Sequence, residues 1–215
     1  VEKQEKLFRV SLAGYQKEIA EAEMQLKMQR IIERIWEKDY RVWSTSPADI
    51  INRLGWLKSP DVSLKMADEI VDFVTTVRQD GYTNALLFGM GGSSLAAEVF
   101  SHSFAVKTGY LGLEVLDGTH PAAVLEHAQR LDPEKTLYIV STKSGGTVDT
   151  FSLMKFFFNQ TLALIGKEKV GSHFIAITDP GSELETAAKQ LNFRKIFLND
   201  PNIGGRYSAL SLFGI

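Results

Sequence analysis

Residues 85–94, Ala85-Leu86-Leu87-Phe88-Gly89-Met90-Gly91-Gly92-Ser93-Ser94, decide the fold. Four apolar residues run into a glycine-rich turn, and a helical pattern follows over 94–104. A buried strand turning sharply into a helix has this signature. The same order recurs downstream. Apolar runs stand at 85–88, 113–116, 137–140, 174–177 and 195–198, and helical patterns at 122–130, 147–164 and 182–191 separate most of them. Ser182 and Glu185 have the spacing of a capping box, which marks the start of the last helix. Strand and helix alternating through short loops predict an α/β fold of three layers, a parallel five-stranded sheet flanked by helices. Ligands in such sheets bind beyond the carboxyl ends of the strands, so the chemistry is sought in the loops leaving those ends.

Upstream the texture differs. Over 1–40, Leu7, Val10, Leu12, Tyr15, Ile19, Ala22, Leu26, Ile31 and Ile35 recur near helical spacing between polar residues, which predicts a helix. Ser46-Pro47-Ala48-Asp49 offers an N-cap, a proline at the first helical position and an acid, and predicts a short helix ending near Gly55. Ser59-Pro60-Asp61 predicts another, running towards Gly81. These readings divide the chain into an N-terminal helical segment, 1–80, and an α/β domain, 81–215. No solenoid-period repeat or low-complexity linker interrupts it.

The chain has 215 residues, 44% hydrophobic and 23% charged, with a net charge of −2. That composition is ordinary for a soluble globular protein. No polybasic tract stands out, so neither nucleic acid nor a membrane surface is expected as a partner. There is no cysteine, which excludes disulfides, zinc–thiolate sites and cysteine nucleophiles and fits a cytoplasmic setting. His102, His120, His127 and His173 do not fall at metal-ligand spacing, and neither a metal nor an organic cofactor is expected. No apolar run approaches the ~20 residues that span a bilayer, and no signal peptide is read at the N-terminus. Val1 in place of Met reads as a processed chain or a piece of a longer one.

Three loops carry the chemistry. Gly89-Met90-Gly91-Gly92-Ser93-Ser94 exposes backbone N–H groups and two hydroxyls at a helix start, an arrangement that suits an anion. A tight turn with a serine cap is the plain structural alternative. The glycine spacing lacks the third glycine of a dinucleotide fingerprint and the Gly-Lys-Ser/Thr of a Walker loop. Ser141-Thr142-Lys143-Ser144-Gly145-Gly146-Thr147 places four hydroxyls and one lysine before a helix. A phosphate monoester needs donors converging from several directions, and this loop supplies them. The plain alternative is a polar cap with an exposed lysine. Finally, Gly204-Gly205-Arg206-Tyr207-Ser208 sets two glycines beside an arginine, leaving room for a substrate oxyanion to meet a guanidinium. Glu98, Asp117, His120 and Asp179 are read as structural, the last in an Asp179-Pro180-Gly181 turn.

Taken in order, Gly89-Met90-Gly91-Gly92-Ser93, Ser141-Thr142-Lys143-Ser144-Gly145-Gly146-Thr147 and Gly204-Gly205-Arg206-Tyr207-Ser208 resemble the successive motifs of the phosphoglucose isomerase family, within the wider sugar isomerase (SIS) domain class. The resemblance runs from about Thr83 to the C-terminus. Asn52-Arg53-Leu54-Gly55-Trp56-Leu57 is similar to the isomerase portion of fused transaldolase–isomerase proteins. The resemblance implies that Thr142, Ser144 and Thr147, with Lys143 in the same loop, hold a substrate phosphate. It implies that Gly92 and Ser93 contact the sugar, that Gly205 makes room for it, and that Arg206 stabilises an enediolate. Gly145-Gly146 replaces bulkier residues of many relatives, and Asp149 stands where many have glutamate.

The implied reaction interconverts glucose 6-phosphate and fructose 6-phosphate through an enediol, in a protein that works as a homodimer. It needs a base, a ring-opening group and an electrophile. The family's glutamate base and its ring-opening histidine and lysine have no match here, so the chain is expected to be an incomplete fragment, inactive alone. The alternatives are another SIS aldose–ketose isomerase, which Gly204-Gly205-Arg206 argues against, and a non-catalytic SIS phosphosugar sensor.

Overall fold

The computed structural model describes residue 11 and residues 13–214. The predicted helical positions on residues 1–10 and 12 lie outside them. The chain divides into two compact units, one ending at Ile51 and the other spanning Asn52–Ile215.

In the first unit the single predicted helix is two, α1 (Gln16–Met28) and α2 (Ile31–Trp36). Arg30 breaks it by adopting a left-handed φ of 50°, which no helical hydrogen-bond ladder tolerates. Asp39 then gathers Arg34 and Arg41, at 2.9 and 2.7 Å. The start signal at Ser46 produces turns rather than a helix. Ser46 Oγ accepts the Ala48 N–H at 3.3 Å, but Asp49 takes a φ of 58° and ends the turn. Short polar side chains that bond locally compete with the helix in this way.

The second unit opens with a 3₁₀ turn at Gly55–Lys58 and continues into α3 (Ser59–Gln79). Pro60 sits in its first turn, where a missing N–H costs nothing. The sequence boundary at 80/81 cuts through this unit. The reason is packing: α3 sets Ile70, Phe73 and Val77 against Leu137, Ile175 and Phe197 of the sheet.

All five predicted strands form: β1 (Asn84–Phe88), β2 (Gly112–Leu116), β3 (Thr136–Ser141), β4 (Phe174–Thr178) and β5 (Lys195–Leu198). Every pairing is parallel, in the order β2-β1-β3-β4-β5. The predicted helices appear as α4 (Leu95–Ser103), α5 (Pro121–Arg130), α6 (Val148–Ile165) and, after a short α7 (Lys167–Val170), α8 (Glu183–Gln190). The capping box at α8 is present in modified form. Ser182 Oγ accepts the Glu185 N–H at 3.1 Å, while the Glu185 carboxylate accepts the Gly181 N–H at 2.6 Å.

Strand alternation divides the core by face. One face carries Leu86, Phe88, Tyr138, Val140, Phe174 and Ala176 against α6 and α8. Its rings stack, with Tyr138 4.7 Å from Phe174 and Phe88 5.0 Å from Phe157. The α3 face is more aliphatic and retains an apolar cavity of about 260 Å³. The α/β architecture is thus the one the sequence predicts.

At the amino end of the sheet the loops are latched. Tyr82 donates its hydroxyl to Ser172 O at 3.1 Å, and its ring meets His173 edge-on at 4.9 Å. His173 Nδ1 lies 3.3 Å from Thr136 O, and Arg194 pairs with Asp80. Among the described residues no helix is long and apolar enough to cross a membrane.

Candidate functional site

Strand order reverses at β1, which lies between β2 and β3. A crevice opens at such a switch point, beyond the carboxyl ends of the strands. The loops after β1 and β3 leave from that position, and they are the two glycine- and hydroxyl-rich loops singled out in the sequence.

The loop after β1 is built by close approach. A Cβ on Gly89 would stand 3.0 Å from Ser93 O and 3.1 Å from Ser141 O. Ser141 Oγ instead donates to Ser93 O at 2.6 Å, buried. Gly91 adopts a φ of 57°, open to glycine at little cost. Gly92 is tighter still: a Cβ there would come within 2.1 Å of Gly205 O. Two backbones from distant parts of the chain therefore touch because Gly92 carries no side chain at the contact. Ser94 does not add a donor to the crevice; its hydroxyl turns back to Gly91 O at 3.2 Å.

The loop after β3 turns its hydroxyls inward. Thr142 Oγ1 and Thr147 Oγ1 are 3.0 Å apart. Thr178 Oγ1 donates to Thr142 O at 2.7 Å, and Ser182 Oγ lies 2.8 Å from it. Gly145 takes a φ of 71°, and a Cβ there would fall 2.4 Å from Ser182 Cβ, so the loop presses directly on the start of α8. Ser144 is exposed.

After β5 the chain crosses back over the sheet to reach the β1 loop. Ser208 Oγ lies 2.7 Å from both Gly92 O and Gly205 O. Its single proton serves one carbonyl at a time. This crossing is held from upstream. Leu54 bridges Ile203, Gly55 N donates to Asn202 O at 2.9 Å, and Trp56 stacks on Tyr207 at 5.6 Å.

Together these loops enclose an open cleft of about 490 Å³. The seven residues assigned from sequence to ligand contact, Gly92, Ser93, Thr142, Lys143, Ser144, Thr147 and Gly205, all line it. Arg206 does not; it is exposed, one residue beyond Gly205. Sequence reasoning missed two charged lining residues, Arg53 and Asp179. The signal for Arg53 lay in Asn52-Arg53-Leu54-Gly55-Trp56-Leu57, noticed for its resemblance but given no role. Asp179 read only as a turn. Its carboxylate binds the Lys143 ammonium, which also donates to Pro201 O at 3.0 Å. Burial pushes the Asp179 carboxyl above its usual pKa, and the Lys143 contact opposes that rise.

Donors of this kind, with glycines that admit a ligand to the backbone, suit an oxyanion such as a phosphate ester. The curated glucose-6-phosphate isomerase of Campylobacter jejuni is 28% identical over 163 residues, which cover 75% of this chain and 39% of that protein. One from Thermus thermophilus is 29% identical over 75% of this chain and 38% of its own length. The chain thus spans less than half the length of these relatives. The crystal structure of a hypothetical protein from Thermus thermophilus superposes with a TM-score of 0.70 at 26% identity, covering 92% of this chain and 44% of that one. The phosphoglucose isomerase family model matches residues 60–215, a span holding all five strands and the three loops that frame the cleft. On that match the chain belongs to the phosphoglucose isomerase family.

Proposed function

We propose that the cleft binds the phosphate of a sugar phosphate, and that this chain is the phosphosugar-binding part of a glucose-6-phosphate isomerase. The single observation that carries the reading is convergence. Seven residues from three separate loops, each marked out by its sequence motif, line one cleft at the topological switch point. Thr142, Ser144 and Thr147 hold the phosphate, and Gly92, Ser93 and Gly205 meet the sugar. In the longer enzyme, Arg206 stabilises the enediolate of glucose 6-phosphate and fructose 6-phosphate interconversion. The homodimer and the cytoplasmic setting implied by the family belong to the same proposal.

Proton transfer between C2 and C1 needs a base within hydrogen-bond reach of the substrate. Among the described residues the cleft is lined by one carboxylate, Asp179, and Lys143 occupies it. The chain alone is therefore proposed to bind but not to isomerise. A coupled assay on the purified chain checks this, and turnover matching a full-length isomerase refutes it.

The binding reading is tested by calorimetry with 6-phosphogluconate. A hydrogen bond to a charged phosphate contributes about 1.5–3 kcal/mol, so Thr147→Ala is expected to weaken binding about tenfold or more. Unchanged affinity rules out the hydroxyl loop as the phosphate site. A non-catalytic phosphosugar sensor shares this prediction, and differs in leaving the longer protein without turnover.

A further inference from the structure

Lys143 is the obvious counter-charge for a phosphate in this cleft, yet its ammonium is already engaged. It contacts Asp179 Oδ2 and donates to Pro201 O at 3.0 Å, with its side chain only 20% exposed. Lys143 is the cation seen to compensate Asp179, whose other carboxylate oxygen, Oδ1, is buried with no hydrogen-bond partner among the described residues. Drawing Lys143 towards a ligand would leave a buried carboxylate uncompensated, which is strongly unfavourable. The contact also joins three loops, since Lys143 follows β3, Asp179 follows β4 and Pro201 follows β5.

A second cation, Arg53, lines the same cleft. It arrives on the segment that grips the β5 crossing, and its own carbonyl accepts the Gly204 N–H at 3.3 Å. Gly204 makes room for it. A Cβ there would come within 3.3 Å of Arg53 Cδ and 3.5 Å of Arg53 Cβ. Gly204 thus packs closely on the arginine stem. A guanidinium carries five N–H donors in a planar fork, enough to meet a phosphate while keeping other contacts.

We propose that Arg53 is the cation that meets the ligand's phosphate, and that Lys143 is a positioning residue bracing the three loops through Asp179 and Pro201. The proposal rests on the phosphosugar reading of the cleft. The test titrates inorganic phosphate and 6-phosphogluconate into the full chain at low and high ionic strength. Arg53→Gln is expected to weaken both probes about tenfold or more. It should also flatten the salt dependence, since the charge that salt screens has gone. Arg53→Lys is expected to recover part of the loss, because it keeps a charge without the fork. The double variant Lys143→Met/Asp179→Asn removes the brace without stranding a buried charge; it is expected to lose less affinity and to keep the salt dependence. Wild-type binding by Arg53→Gln overturns the proposal. So does an Arg53→Gln loss with unaltered salt dependence, or a larger loss in the double variant. If the unaltered chain binds neither probe, the phosphosugar reading itself falls, and the proposal with it.

Discussion

The two ends of the sheet are built from similar materials to opposite effect. At the amino end, Tyr82, His173 and Arg194 fill the gaps between loops with rings and a guanidinium. At the carboxyl end a space is left open: Gly89, Gly92 and Gly145 let loops approach where a side chain would collide, and Gly91 and Gly205 face free space. Hydroxyls there bond to carbonyls and to each other rather than to bulky partners. One end is closed by side chains, and the other is held by backbone contacts around a space. A parallel sheet exposes loop amides beyond its carboxyl ends, so the space is kept where it is chemically useful.

Glycine substitutions break this contrast most sharply. Gly92→Ala would drive a Cβ to 2.1 Å from Gly205 O, forcing two backbones apart. Overpacking of this kind costs about 1–3 kcal/mol, and the widened loops should lose 6-phosphogluconate binding by about 10²-fold or more. At the other end, Gly171→Ala would place a Cβ 2.2 Å from Asn192 O. It is expected to lower the melting temperature comparably while leaving affinity near wild type. Calorimetry and melting curves on both variants compare the ends directly. Equal loss of affinity in both would mean that they are not independent.

Arg206 comes next. Exposed beside the cleft, it should matter to chemistry and not to folding. In a full-length isomerase bearing this segment, Arg206→Ala is expected to lower turnover by about 10²-fold with little change in Michaelis constant or melting temperature. A rise in Michaelis constant alone would assign it to phosphate binding instead.

Ser208→Ala should act on both quantities. It removes the hydroxyl shared by Gly92 O and Gly205 O, a part-buried hydrogen bond worth about 1 kcal/mol. Stability by denaturant titration should fall by that amount, and ligand affinity should fall with it.

The smallest effect belongs to the amino end. Burial holds the His173 imidazole below its usual value of 6.5, against hydrogen bonds to backbone carbonyls that favour the charged ring. Its folded-state pKa is depressed, so the unfolded chain takes up the proton first as pH falls. The contribution is fully present above about pH 6.5 and is lost as pH drops through the folded-state pKa, with no more than one proton involved. Stability measured from pH 7.5 to 5 should show this decline, and His173→Phe should flatten it.

Much of the carboxyl end was legible because its signals are local. An apolar run, a glycine or serine cluster and a helical pattern lie within about a dozen residues of one another, so 85–94 and 137–147 declare strand, loop and helix together. What stayed hidden depended on distant partners. Arg53 enters the cleft only because Leu54 and Gly55 dock on Ile203 and Asn202, and no local pattern encodes that contact. Asp179 looked like a turn residue because its bond to Lys143 crosses from the β4 loop to the β3 loop. The helix break at Arg30 has no glycine or proline to announce it, and the start signal at Ser46 makes a local turn bond to Ala48 with no helix behind it.

The crossing that ties Ser208 to Gly92 also has a history in time. Its hydrogen bond joins residues 116 positions apart, and the Leu54–Ile203 bridge spans further. Contacts of such separation repay their loop-closure entropy only after nearer ones have formed. As the chain leaves the ribosome, the first four strands emerge and are able to pair before Gly205 and Ser208 exist to face the β1 loop. The cleft is thus completed only after the strands have emerged, and until then the β1 loop lacks the backbone that packs against Gly92. Recognition of the ligand and completion of folding depend on the same few contacts, so a chain interrupted before residue 205 would hold all five strands and most of the cleft residues but lack the crossing that packs against the β1 loop.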